Sequence, residues 1–236
     1  MNEPIIVLDH LSKSYGNVHA VRDLSLRIEL GTIFGFLGPN GAGKTTTMRM
    51  LCGLTHPTGG RATIEDADVW KDRQEVRTKF GYVPQRFSLY RDLTVAENFR
   101  FFGGAYGVPA AELEQRIERL LRIIDLEGKK NTAAQSLSGG MRQLLAIGCA
   151  LIHDPRLLFF DEPTAGLDPV HRQQIWNLLY DLSNEGKTIF VTTHYMDEVE
   201  RCTEVGFIEE GRLLAKAPPR ALKSSFRSRL DRKSVV

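Results

Sequence analysis

Apolar and polar positions change period several times along this chain. Near the start, residues 5–8 form a short apolar run, and Leu24, Leu26 and Ile28 alternate with Ser25 and Arg27. Alternation at period two sets one face of an extended strand against a core and the other in water, so both stretches predict strands. Ile33–Leu37 is a continuous apolar run that ends in a Gly-rich loop. A helix is expected over Lys44–Leu51, closed by Gly53. Strand patterns return at residues 62–64 and at Phe80–Val83.

The period then lengthens. Thr94 followed by Glu97 spells a capping box ahead of an apolar stretch. Leu113, Ile117, Leu120, Leu121 and Ile124 fall at helical spacing, which predicts an amphipathic helix over 109–124. Another helix is expected over 140–152. Strand and helix then alternate: strand 157–160, helix 170–182, strand Thr188–Thr193, helix 196–201, strand 205–208. The pattern describes an α/β core, residues 1–85 and 155–222, split by a mostly helical insertion over 86–154. The tail, residues 223–236, is basic and aperiodic. It reads as a solvated or disordered end, with a membrane-surface or partner contact, or a truncated end, as the alternatives.

Composition narrows the class. With 236 residues, 42% hydrophobic and 25% charged, the chain suits one globular domain or one carrying an inserted subdomain. A net charge of +2 gives no push toward bulk nucleic-acid binding. Cys52, Cys149 and Cys202 form no C-x-x-C pair, so neither a zinc site nor a redox motif is suggested, and buried, reduced thiols are expected. No apolar run approaches the ~20 residues that span a bilayer, and the start lacks a basic n-region. Work at a membrane would therefore mean docking onto another chain.

The strongest chemical signal is Gly38-Pro39-Asn40-Gly41-Ala42-Gly43-Lys44-Thr45, which fits G-x-x-x-x-G-K-[ST] between a predicted strand and a predicted helix. Glycines let backbone N–H groups turn inward and approach phosphate oxygens. The helix start adds partial positive charge. Lys44 can reach the β- and γ-phosphates, and the Thr45 hydroxyl can ligate Mg²⁺.

In open α/β sheets, ligands bind beyond the carboxyl ends of the strands. The strand at 157–160 delivers Asp161 and Glu162 to such an edge. Asp161 suits Mg²⁺ coordination and Glu162 the activation of an attacking water. Phe80–Val83 leads through Pro84 to Gln85, whose amide can orient water and touch Mg²⁺. Thr188–Thr193 leads to His194, a donor for a γ-phosphate. Taken singly, Gln85 reads as a loop residue and His194 as a structural one; their interest lies in converging on one edge. Ser138, Gly139 and Gly140 open a helix and offer a second anion cradle, or an ordinary Ser N-cap. One nucleotide needs only one cradle.

This ordered set resembles an ABC-transporter ATPase subunit over nearly the whole chain. Gly38 to Thr45 resembles Walker A, Gln85 the Q-loop glutamine, and Leu137-Ser138-Gly139-Gly140-Met141 the signature. Residues 157–162 resemble Walker B with its catalytic glutamate, Gly166-Leu167-Asp168 the D-loop, His194 the switch histidine, and Tyr15 the aromatic that stacks on adenine. Asp168 before Pro169 is also a good helix N-cap.

The resemblance implies a P-loop NTPase (RecA-like) core with an antiparallel β subdomain and an inserted helical subdomain carrying the signature. It implies ATP, held by Tyr15, residues 38–45 and Thr46, and Mg²⁺ on Thr45, Gln85 and Asp161. Glu162, His194, Lys44 and Gln85 take the catalytic roles. Ser138, Gly139 and Gly140 serve the ATP of a partner subunit in a homodimer or heterodimer, and Asp168 belongs to the D-loop. A separate transmembrane permease is implied, with this subunit cytoplasmic and peripheral on the cytoplasmic face of the cell (inner) membrane, and no nucleic acid. Residues 82–90 and 93–98, with Met141, resemble the ATPases of ABC-2-type exporters. Phe87, Leu89 and Tyr90 are candidate contacts to the permease or core residues of the insertion; Phe99, Phe101, Phe102 and Tyr106 read as core.

The rival readings are a soluble ABC ATPase, a GTPase or nucleotide kinase, and a non-catalytic nucleotide-gated module. The first usually carries tandem domains or inserts, and the second leaves the signature unexplained. The third is disfavoured by the intact Lys44, Asp161, Glu162 and His194.

Overall fold

Each change of period marks a new element. The computed structural model describes residues 3–85 and 89–222. In chain order the elements are β1 Pro4–Tyr15, β2 Val18–Glu29, β3 Ile33–Leu37, α1 Lys44–Leu51, β4 Gly59–Ile64, β5 Ala67–Asp68, α2 Arg73–Val76, β6 Phe80–Val83, α3 Val95–Ala105, α4 Ala110–Ile123, α5 Gly139–Leu151, β7 Leu157–Asp161, α6 Pro169–Asn184, β8 Thr188–Thr193, α7 Met196–Val199, β9 Glu204–Glu209 and β10 Arg212–Ala217. The chain forms two compact units, Met1–Val76 with Thr188–Val236, and Arg77–Lys187.

The first unit holds an antiparallel sheet in the order β2-β1-β4-β5, and a run of strands in the order β10-β9-β3-β8. β3 pairs in parallel with β8 and β9, while β10 runs antiparallel to β9. Every residue of β3 is buried, as expected of a parallel strand covered on both faces. Phe34, Phe36 and Phe190 pack together there, with ring centroids 5.4–6.4 Å apart.

β1 extends well past the predicted 5–8. The cause is a bulge. At His10 (φ 52) the buried positions switch from Ile6 and Leu8 to Leu11, and at Asp23 (φ 50) β2 switches between Val21 and Leu24. An odd step breaks period two, so the sequence pattern fades just where the two strands continue to pair. The bulges brace each other: His10 N–H donates to Ser25 Oγ, Asp23 N–H donates to Ser12 Oγ, and His10 Nδ1 lies 2.5 Å from Asp23 Oδ1. β10 escaped prediction for another reason. Its residues alternate between exposed and half-buried, with no buried stripe to mark it.

In the second unit, α3 begins with the predicted capping box. Thr94 Oγ1 accepts the Glu97 N–H, and the Glu97 carboxylate accepts the Thr94 N–H at 2.8 Å. These bonds hold the Glu97 carboxyl below the usual carboxylate range, the Thr94 backbone N–H contributing most. Asn98, fully buried on the next turn, donates to the carbonyls of Tyr90, Leu93 and Thr94 and accepts the Tyr90 N–H. It thereby ties the loop at 90–94 to α3. Phe99 is core, as expected. Phe101 is not: two residues further round the helix it turns outward, 44% exposed, with its ring 4.2 Å from that of the exposed Tyr90. All three cysteines are buried and none forms a disulfide among the described residues, and burial pushes the Cys202 thiol up to about 12.

β6 and β7 pair in parallel, Phe80 opposite Leu157. His153 Nε2 donates to Phe80 O at 3.0 Å, and its ring stacks 3.8 Å from that of Tyr106. Burial pushes this imidazole down to about 4. An unfolded histidine titrates near 6.5, so between these values the unfolded chain binds the proton and the folded chain does not. The stability contributed by the neutral ring is complete above about pH 6.5 and is lost as pH falls toward 4, at about 1.4 kcal/mol per unit. Urea unfolding at pH 7, 5.5 and 4.5 is expected to show this slope, and His153→Gln to flatten it. An unchanged slope in the variant would assign the acid sensitivity to other groups.

Candidate functional site

The loop between β3 and α1 is the Gly-rich segment expected to hold a phosphate. A Cβ at Gly43 (φ 106) would meet Ala20 O at 2.4 Å, so only glycine fits against β2 there. Gly211 N–H donates to Ala42 O, and Thr47, fully buried, returns both its N–H and its hydroxyl to Gly43 O. The loop is thus pinned where it enters α1, whose N-cap, Gly43, supplies no side-chain cap. Lys44 is buried, and its ammonium donates to Gly38 O at 2.7 Å and Pro39 O at 3.2 Å. Pro39, Asn40, Gly41 and Thr45 are exposed, Ala42 is buried and Thr46 half-buried.

Tyr15 stands where β1 turns into β2 and is 51% exposed, with Lys13 Nζ 5.0 Å from its ring centroid. An open aromatic face beside a cation suits a base that stacks. His194 follows the last residue of β8 and is half-buried, its ring 4.0 Å from that of Tyr195. Its backbone is steadied by a contact that sequence reasoning missed. Thr193 Oγ1 donates to the buried Glu198 carboxylate at 2.6 Å and accepts the Tyr195 N–H. The spacing of Thr193 and Glu198 was readable; that both would be buried was not.

In the other unit, the five residues of β7 are all buried and end at Asp161, 1% exposed. Glu162 comes next with φ 50, a left-handed backbone that is uncommon for glutamate and is stored where a site needs it. Its carbonyl accepts the Ala165 N–H, closing the turn. Gln85 Nε2 donates to Glu162 Oε2 at 3.3 Å. Two strand ends far apart in the chain therefore meet, and the Gln85 amide is oriented with its nitrogen on the carboxylate.

At the second candidate cradle the structure shows a serine N-cap. Ser138 caps α5 by accepting the Met141 N–H at 3.2 Å, and Arg142 donates to Leu137 O. Asp168 caps α6: one oxygen accepts the N–H groups of Val170 and His171, and the other lies 2.5 Å from His171 Nδ1. These bonds hold the Asp168 carboxyl below its usual range, the His171 side chain contributing most. Phe87 lies outside the described residues; Leu89 is buried and Tyr90 is 46% exposed.

Residues 21–165 match the family described as ABC transporter. The chain is 45% identical over 222 residues to the Nod factor export ATP-binding protein I of Cupriavidus pinatubonensis, covering 94% of this chain and 68% of that protein. Over 222 residues it is 40% identical to the probable multidrug ABC transporter ATP-binding protein YbhF of Escherichia coli, where it covers 94% of this chain but spans only 38% of the relative. Among solved structures, CbiO1 of Clostridium perfringens, part of the ABC transporter complex CbiONQ, aligns with a TM-score of 0.86 at 29% identity, covering 94% of this chain and 92% of that one. A dimeric post-hydrolysis state of the ATP-binding cassette MJ0796, bound to ADP and Pi, aligns with a TM-score of 0.82 at 28% identity, covering 91% and 98%. The fold is that of these cassettes, an α/β P-loop core with an antiparallel β subdomain. By its sequence and its fold, the chain belongs to the ABC transporter family.

Proposed function

We propose that the chain is an ATP-binding and ATP-hydrolysing subunit that powers export through a separate transmembrane permease. The observation that carries this is the pinned phosphate loop with Lys44 buried inside it. ATP would take its phosphates on residues 38–46 and its adenine on Tyr15. Thr45, Gln85 and Asp161 offer a hydroxyl, an amide carbonyl and a carboxylate, an all-oxygen set that suits Mg²⁺. The turn of the Gln85 nitrogen toward Glu162 supports this, because it leaves the carbonyl oxygen available. Mg²⁺ when bound would neutralise phosphate charge. Glu162 would take the proton of the attacking water, while Lys44 and His194 steady the charge that develops.

Ser138, Gly139 and Gly140 would complete the site of a second subunit, with Asp168 alongside, in a homodimer or heterodimer. The dimeric MJ0796 cassette supports that reading. The segment 86–154 would act as the helical subdomain. Export is favoured by the Nod factor export relatives. No helix among the described residues is long and apolar enough to cross a membrane. The exposed Tyr90 and Phe101 pair, on the segment that follows Gln85, would meet the permease at the cytoplasmic face of the membrane.

Light scattering of the Glu162→Gln chain tests the core of this. Mg-ATP is expected to double its mass, and ATP with a chelator is expected to leave it monomeric. A chain that stays monomeric while binding Mg-ATP would remove the ATP-closed pair formed by this chain alone.

A further inference from the structure

The start of α5 is held from behind by a residue that the reading above does not use. A Cβ built on Gly140 would lie 1.9 Å from His171 Cδ2 and 2.2 Å from His171 Cγ, so the imidazole rests directly on the backbone of that helix's first turn. The same ring is fixed on its other side. Its Nδ1 lies 2.5 Å from Asp168 Oδ2, while the second oxygen of Asp168 caps α6. Leu167 Cδ2 approaches the neighbouring Gly139 position at 3.8 Å. His171 is the third residue of α6 and its side chain is 28% exposed, so it is a part-buried wedge rather than a solvated one.

We propose that His171 is a positioning residue for the Ser138–Gly140 cradle, locking it to the Asp168 turn. The inference rests on the reading of that cradle as an ATP contact. The physical argument is one of shape and a single bond. Glycine at 140 leaves the first turn of α5 without a side chain to pack, and the backbone there would be free to shift. An imidazole filling that space, and itself held by a carboxylate, removes the freedom. Because one ring touches both elements, a movement of the turn at 167–168 displaces the cradle, and the reverse. The two ring functions are separable. Asparagine at 171 keeps an N–H for Asp168 without covering Gly140, and phenylalanine covers Gly140 without bonding Asp168.

Two measurements test this. In the first, amide exchange is followed on the monomer without nucleotide. His171→Ala is expected to speed exchange about tenfold at Met141 and Arg142, whose N–H groups bond Ser138 Oγ and Ser138 O, the equilibrium equivalent of one bond to a charged group. Global unfolding should stay unchanged, and His171→Asn and His171→Phe should each restore part of the protection. Unaltered exchange at Met141 and Arg142, or an equal loss of protection throughout the chain, overturns the proposal whatever the cradle binds. In the second, made in the Glu162→Gln background, His171→Ala is expected to raise the Mg-ATP concentration for half-maximal dimer about tenfold. ATP affinity of the monomer should hold. Dimerisation equal to that of the Glu162→Gln parent overturns the functional half of the proposal. Failure of the parent itself to dimerise, with the exchange result intact, would leave the positioning standing and remove the ATP-sandwich reading instead.

Discussion

Replacing Glu162 with glutamine is expected to cut ATP turnover by about 10² to 10⁴, the span that a positioned general base contributes, while ATP binding persists. The substitution keeps the shape of the side chain and removes only its ability to accept a proton. Three features of the turn place the burden on this carboxylate. A strand buried along its whole length fixes the preceding residue, Asp161, so the backbone enters the turn without slack. Glu162 itself holds φ 50, a conformation costing on the order of 1 kcal/mol or more for a residue with a Cβ, which the turn tolerates. Gln85 then donates to its carboxylate, directing the acceptor. Steady-state phosphate release and equilibrium ATP binding, measured on the same preparation, decide the matter. Turnover at the parent rate would remove Glu162 as the base. Loss of binding together with turnover would mean that the turn, rather than the chemistry, had been damaged.

The sequence carried much of this site because its chemistry is local. The phosphate loop needs glycines, a lysine and a hydroxyl in consecutive order, and the strand before it is apolar throughout, so spelling and context agree at β3 and α1. The same holds for the capping box at Thr94 and for the cap at Asp168, which bond to residues three or fewer positions away. What failed to show was set by distance. The contact of His171 with Gly140 joins two helices far apart in the chain, and nothing in either spelling announces it. The bulges at His10 and Asp23 hid most of β1, because a single odd step reverses the inward face and a period-two pattern has no memory across it. Phe101 was misplaced because aromatic character argues for burial and helical phase argues against it, and here phase won. The three-way donation of Asn98 to the loop at 90–94 was likewise silent: a buried asparagine is legible only once its acceptors are in place.

Replacing Lys44 with methionine is expected to weaken ATP binding by about 10- to 100-fold, the loss of one charged hydrogen bond, and to reduce hydrolysis further. The reasoning turns on where the ammonium sits. Lys44 is 4% exposed, and its Nζ lies among the carbonyls of Gly38 and Pro39. Those contacts fold the side chain back along the loop, so the cation is already drawn out of bulk water and held at the loop. A phosphate entering the loop gains a pre-oriented, partly desolvated partner, and the ordering cost of a long side chain has been met during folding. Methionine keeps a stem of similar length against the same walls. The loop should therefore survive, held by the Gly211 bond to Ala42 and by the two bonds of Thr47 to Gly43. Thermal unfolding is expected at or above the parent temperature, since a buried charge is exchanged for an apolar group. Calorimetric titration with ATP reads the affinity. An unchanged affinity would show that the backbone amides carry the phosphate alone and that Lys44 serves only to brace the loop; a lowered unfolding temperature would assign the ammonium a structural role instead.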